Sequence, residues 1–243
     1  MSNIPYQHLE IEQIYTQILS EQGRAIAICS AESGEGATSL AMALAQRNLL
    51  AGYSTLVVDL NLYRPALQNL LTINEETTNL PSTLSSTILA TPQLVTVKHH
   101  ALAVTGISAP RKRNNIIKLR QPGMIEECIS EWMAHFDSVL IDTSPLNRIN
   151  ARNIPAERVA AACDGALLVV LAGQTSEAMV SSAVNKLKTS NAQLLGCVFN
   201  DRDNPSLKNE LLREVQRIDS RFSWLSRQLK KFIHNNRLLT LEL

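Results

Sequence analysis

Aromatic residues are scarce, at 4% of 243 positions, and no apolar run approaches the ~20 residues of a helical membrane span. The N-terminal MSNIPYQHLEIEQ also lacks the charged-then-apolar pattern of a leader, so a cytoplasmic chain is expected. An excess of one charge is missing too. With a formal net charge of +1, no global pull toward nucleic acid or membrane exists, and any such affinity must come from local clusters. The four cysteines, Cys29, Cys128, Cys163 and Cys197, form no C-x-x-C pair, which excludes the usual zinc and dithiol spacings and predicts buried, reduced thiols. The histidines show no metal-ligand spacing. His99 and His100 are adjacent, and neighbours on a strand point to opposite faces. There is no internal repeat and no low-complexity tract. What is plentiful is aliphatic residue: 45% of the chain is hydrophobic, enough for one substantial core with appendages.

The informative stretch runs from Arg24 to Pro65. Arg24 to Cys29 (RAIAIC) is a short β-prone run, followed at once by the loop Ser30-Ala31-Glu32-Ser33-Gly34-Glu35-Gly36-Ala37-Thr38-Ser39. Leu40 and Leu44, like Ala41 and Ala45, recur at i and i+4 up to Gly52, which predicts a helix whose N-terminus points back at the loop. Glycines let backbone N–H groups converge, and the helix dipole adds partial positive charge, so the loop suits a phosphate group. Ser54 to Asp59 (STLVVD) then reads as a buried strand ending in a carboxylate, before Asn61, Arg64 and Pro65. The P-loop pattern G-x-x-x-x-G-K-[ST] falls on Ala31, Gly36, Ala37 and Thr38, and two of those four positions depart from it. A two-glycine loop alone fits an ordinary strand-to-helix turn equally well.

Around this unit the chain organises simply. Leu9, Ile11, Ile14, Ile18 and Leu19 predict an N-terminal docking helix within residues 1–23. A short helix over Ala66 to Leu71 leads into a polar segment, Thr72 to Thr91, of low expected order, with at most one helical stretch around Leu84 to Leu89. Two β-like runs follow, Leu94 to Val97 and Ala101 to Ile107, then the basic stretch Arg111-Lys112-Arg113 with Lys118 and Arg120. Met124, Ile125, Cys128, Ile129, Trp132 and Met133 make one apolar helix face. Ser138 to Asp142 (SVLID) is a second buried strand ending in a carboxylate. Gly165 to Leu171, a helix from Ser176 to about Leu187, and Gln193 to Phe199 complete the alternation. Strands alternating with helices imply an α/β, doubly wound, mostly parallel sheet.

The succession SAESGEGATSLAMALA, VVDLNLYRP, HFDSVLIDTSPL, CDGALLVVLAGQTSE and LLGCVFNDRD resembles the MinD/ParA-type P-loop ATPases. Within them it is most similar to the cytoplasmic module of bacterial tyrosine kinases and exopolysaccharide co-polymerase ATPases, where the loop reads about P-G-E-G-K-S and the next motifs D-x-D-x-R-x-P and I-I-D-T-P-P. The resemblance covers about residues 10 to 203. It implies a P-loop NTPase-like domain over residues 24–205; beyond Pro205 the match fades, and helical spacing predicts a helical extension over 206–243. The resemblance also implies ATP or ADP with magnesium as the ligand. Gly34, Glu35, Gly36, Ala37, Thr38 and Ser39 would line the phosphates and Asn200 would face the adenine. Thr38, Asp59 and Asp142 would stand on the magnesium side, with Asp59 the surviving candidate base.

The departures bear on function. Ala37 stands where the family has the lysine that meets the β- and γ-phosphates, and Glu32 where MinD and ParA proteins carry a second lysine. Losing one charge-assisted hydrogen bond weakens nucleotide binding by roughly ten- to a hundredfold. Asn61 fills the second acidic position of D-x-D, and an amide cannot accept a proton. All four tyrosines precede residue 64, so the tyrosine-rich tail of the kinases is missing. The branch's oligomerisation pattern E-x-x-R-x-x-R is not kept either, since Glu12 is followed by Tyr15 and Ile18.

In the extension, Phe222, Trp224, Leu225, Leu229, Phe232 and Ile233 lie at helical spacing, with Arg221, Arg227, Lys230, Lys231 and Arg237 largely elsewhere. Such a basic amphipathic helix fits either docking on the chain's own sheet or contact with an anionic membrane or partner through Trp224, Leu225, Leu229, Lys230, Lys231 and Phe232. The basic stretch from Arg111 to Arg120 reads as a solvated loop. Without aromatic interleaving, nucleic acid is disfavoured as a partner. The resulting expectation is a catalytically impaired P-loop ATPase-like regulator of exopolysaccharide or capsule assembly. It would be a cytoplasmic homodimer, peripheral at the inner membrane, docking on a polymerase or export protein there. A MinD/ParA-type positioning ATPase and an active tyrosine kinase are the competing expectations.

Overall fold

Strands buried on both faces read as unbroken apolar runs, and four of the runs found in the sequence form the middle of one parallel sheet. These are β1 (Arg24–Ser30), β2 (Thr55–Leu60), β5 (Ser138–Thr143) and β6 (Gly165–Leu171). The computed structural model describes residues 4–19, 24–67, 88–96, 102–148, 150 and 152–202, with the single helical positions Leu211, Val215, Gln228, Leu229, Lys231 and Ile233. Among these residues seven strands make one sheet in the order β3-β4-β2-β5-β1-β6-β7, with β3 (Gln93–Thr96), β4 (Ala103–Ile107) and β7 (Leu194–Asn200) completing it. Every neighbouring pair is parallel except β3 with β4. The expected α/β, doubly wound, mostly parallel architecture is therefore present.

Alternation along the strands divides the core between the two faces. Ile26, Ile28, Val57, Leu140, Leu167 and Val169 pack on one side with α1 (Leu9–Ile18) and α2 (Ala37–Leu50). Leu56, Val58, Leu60, Val139 and Ile141 face the other way, against α4 (Met124–Met133) and Val159 of α5 (Ala156–Ala162). Farther along that face, Ala166, Leu168 and Val170 pack on α5 and α6 (Glu177–Thr189). The edge strand β7 is only partly covered, and Phe199 is 72% exposed.

Three expectations need revision. The basic stretch from Arg111 is not a loop: Arg113–Leu119 forms α3, because Leu119 is buried in the core and anchors one face of it. Helix α5 had no counterpart in the sequence reading. Its seven residues are mostly alanine and carry too few large apolar groups to show a period. Buried thiols hold for Cys29 and Cys128, both pushed up to about 12 by desolvation, but Cys197 is exposed because it sits on the edge strand.

Helix α1 docks through Ile11, Tyr15 and Ile18, all buried. Above that seam Glu12 accepts hydrogen bonds from Arg47 of α2, whose guanidinium lies 4.3 Å from the Tyr15 ring centroid. Tyr15→Ala is expected to lower the urea stability by about 3 kcal/mol, since a buried aromatic is lost. Glu12→Gln should barely move the midpoint, because exposed ion pairs contribute little.

The chain falls into two compact units, Met1–Asn200 and Asp201–Leu243. In the second, the described positions beyond Arg202 are helical, with Val215 and Ile233 buried and Lys231 exposed. Trp224, Leu225, Lys230 and Phe232 lie outside the described residues, as do most of the segments expected over residues 66–71 and 72–91. Among the described residues no helix is long and apolar enough to cross a membrane.

Candidate functional site

The loop between β1 and α2, the ends of β2 and β5, and the end of β7 meet at the carboxyl edge of the sheet, where ligands bind in open α/β folds. Gly34 and Gly36 have φ of +90° and +103°, which lets the loop turn sharply into the helix. A Cβ at position 36 would lie 2.5 Å from Nδ2 of Asn200, so only glycine fits. Asn200 Nδ2 in turn donates to the Glu35 carbonyl at 2.8 Å, tying the loop to β7. No side chain caps α2 and its first turn holds no acid, so its N-terminus is presented to the site.

Glu35 is 2% exposed, and its carboxylate is held within the protein. It accepts the Ala31 N–H at 2.7 Å and the Thr175 hydroxyl, acting as an internal strut between the loop and the end of β6. Its backbone remains part of the loop. Glu32 is held by Arg148, which donates from Nε at 2.6 Å. Neither the Thr175 nor the Arg148 contact was read from the sequence, because both partners lie more than a hundred residues from the loop in unremarkable turns.

Asp59 and Asp142 are register partners on β2 and β5, so their carboxyls adjoin at the strand ends. Asp59 is fully committed: Oδ1 accepts the Asn61 N–H at 2.9 Å, and Oδ2 accepts those of Ala66 and Leu67 at 2.9 and 3.1 Å. Burial pushes its acidity constant up, and the three amides oppose that shift. Asp142 accepts the Thr38 hydroxyl on Oδ2, while its buried Oδ1 has no hydrogen-bond partner. Desolvation, joined by the Asp59 charge, pushes Asp142 up to about 8, against the pull of Thr38, Asn61 and the Thr143 amide.

An unpartnered carboxylate oxygen beside a hydroxyl, at a glycine-rich helix N-terminus, fits a hard divalent cation shared with a phosphate. Among the described residues no group of three or more His, Cys, Asp or Glu side chains could hold a metal, so a cation at Thr38 and Asp142 would take further ligands from phosphate and water. The misfit is at position 37, where Ala37 opens α2 and brings no charge.

Glycine loop, strand order and paired strand-end carboxylates together make an α/β fold of the P-loop NTPase kind. Its sequence relatives are bacterial tyrosine-protein kinases. The chain is 26% identical over 189 residues to the tyrosine-protein kinase CpsD of Streptococcus pneumoniae, covering 77% of this chain and 80% of that protein. It is 27% identical over 189 residues to the succinoglycan biosynthesis transport protein ExoP of Rhizobium meliloti, covering 76% of this chain but 23% of ExoP. Among solved structures it superposes on the kinase domain of the Escherichia coli tyrosine kinase ETK with a TM-score of 0.61, at 17% identity and 84% coverage of both chains. The cobyrinic acid a,c-diamide synthase of Mycobacterium smegmatis, solved with bound ATP analog and magnesium, matches at a TM-score of 0.55, 15% identity and 82% coverage of both. No family model matches the chain.

Proposed function

We propose that this chain is a catalytically impaired, nucleotide-responsive regulator of polysaccharide assembly or export. The observation that carries this reading is the Thr38–Asp142 pair, kept intact with one free carboxylate oxygen, beside a loop that has lost its lysine. The bound magnesium nucleotide supplies the phosphate charge and the remaining oxygen ligands. The backbone from Gly34 to Ser39 cradles the phosphates, and Thr38 and Asp142 hold the cation. Asn61, 9% exposed next to these carboxylates, cannot take a proton from a nucleophile, so binding outlasts turnover.

The polysaccharide context rests on the similarity to ExoP, a succinoglycan biosynthesis transport protein; docking on an inner-membrane polymerase or export protein, as a homodimer, is part of the same proposal. The extension, with Leu229 and Lys231, serves as the membrane or partner contact. Calorimetric titration of the purified protein with magnesium-ATP tests the site: micromolar binding is expected, lost in a Thr38→Ala/Asp142→Ala variant, with no ATP hydrolysed over hours. Absence of binding up to millimolar ATP overturns nucleotide responsiveness. Phosphotyrosine appearing on the protein with ATP overturns the impairment.

A further inference from the structure

The turn after β2 is fixed tightly. Asp59 gathers the amides of Asn61, Ala66 and Leu67, and Asn61 Oδ1 accepts the Arg64 N–H at 3.1 Å. With Pro65 next in the chain, the backbone that carries Arg64 has little freedom. From that turn the guanidinium reaches back over the loop: Nη1 lies 3.9 Å from the point a Cβ would occupy on Gly34. Arg47 is paired with Glu12 and Arg148 with Glu32, but the Arg64 guanidinium has no carboxylate partner among the described residues. The loop's own acids are not available to it, since Glu32 is taken by Arg148 and Glu35 by Ala31 and Thr175.

In the D-x-D-x-R-x-P motif Arg64 falls on the unspecified position before the proline. Counting from Asp59 and ending on Pro65, the motif's arginine falls on Tyr63, and this chain's arginine comes one position later. Arg64 thus stands beside the loop as a side-chain cation with no carboxylate partner among the described residues.

We infer that Arg64 takes over the charge of the missing loop lysine and is the phosphate-binding cation of this site. This rests on the nucleotide reading given above. A guanidinium suits the task, because its planar fork can donate two parallel hydrogen bonds to phosphate oxygens and it stays charged at any working pH. Delivering the charge from a turn rather than from the helix has a consequence: phosphate binding then depends on the Asp59-organised turn keeping its shape.

The test is magnesium-ATP affinity of the full chain by calorimetry, with circular dichroism to confirm folding. Arg64→Ala should weaken binding roughly ten- to a hundredfold. Arg64→Lys should keep much of the affinity, and Arg113→Ala, an exposed arginine on α3, should change nothing. Adding Ala37→Lys to Arg64→Ala should restore binding, because one cation substitutes for the other. Wild-type affinity in a folded Arg64→Ala variant overturns the inference while leaving the nucleotide site standing. No binding by the wild-type chain removes the nucleotide reading and the inference with it.

Discussion

Asp142→Asn is expected to abolish magnesium-dependent nucleotide binding and, in the same protein, to make the metal-free fold more stable at alkaline pH. The two effects share one cause. Burial and the neighbouring Asp59 push the Asp142 carboxyl up to about 8, whereas in the unfolded chain an aspartate titrates near ~4. The native state therefore holds this proton more tightly than the unfolded state does. The stabilisation is fully present below pH ~4 and is lost as pH rises through about 8. Metal-free wild-type protein should weaken across that window, with a slope of at most ~1.4 kcal/mol per pH unit from this group. Asparagine cannot ionise, so urea titrations with a chelator should show a flatter pH profile and, at pH ~9, an advantage of a few kcal/mol for Asp142→Asn. Some slope persists in the variant from Asp59, which is also pushed up by burial. Magnesium must displace the Asp142 proton, so cation binding near neutral pH should release a proton and its calorimetric enthalpy should depend on the buffer. Parallel wild-type and variant profiles would show that another group titrates.

Gly36→Ala is expected to disable the loop by two separable routes. Alanine at φ +103° is strained by about 1–3 kcal/mol, and its Cβ would collide with Asn200 Nδ2, which stands 2.5 Å from that point. Displacing Asn200 releases the Glu35 carbonyl, so nucleotide affinity should fall along with stability. Asn200→Ala in the Gly36→Ala background should relieve the collision and leave the backbone strain. Denaturation midpoints of the two single variants and the double variant then apportion the loss. A Gly36→Ala variant as stable as the wild type would mean that the loop turns elsewhere.

The sheet was legible because its central strands are covered on both faces. Arg24–Ser30 and Ser138–Thr143 therefore appear as continuous apolar runs bounded by loop residues. The edges were harder to read. β7 packs incompletely, so Cys197 looks like a core residue in the sequence and is exposed in the fold. The positions of the loop and of its two aspartates follow from local spacing and from the family likeness, but what their side chains do does not. That Glu35 reaches Thr175 and that Asn200 ties the loop depend on partners 140 and 165 residues apart. Such contacts leave no period and no motif, and only the folded chain brings them together.

The α1 seam has a consequence for dilution. A contact between subunits weakens as the protein becomes scarce, because its population depends on concentration. Glu12 instead finds Arg47 in its own chain, over a Tyr15 already buried beneath the pair. That contact is first-order and is equally populated in a cell holding ten copies or ten thousand. The N-terminal helix can therefore cover its seam on every molecule as it is made, before any second copy is met.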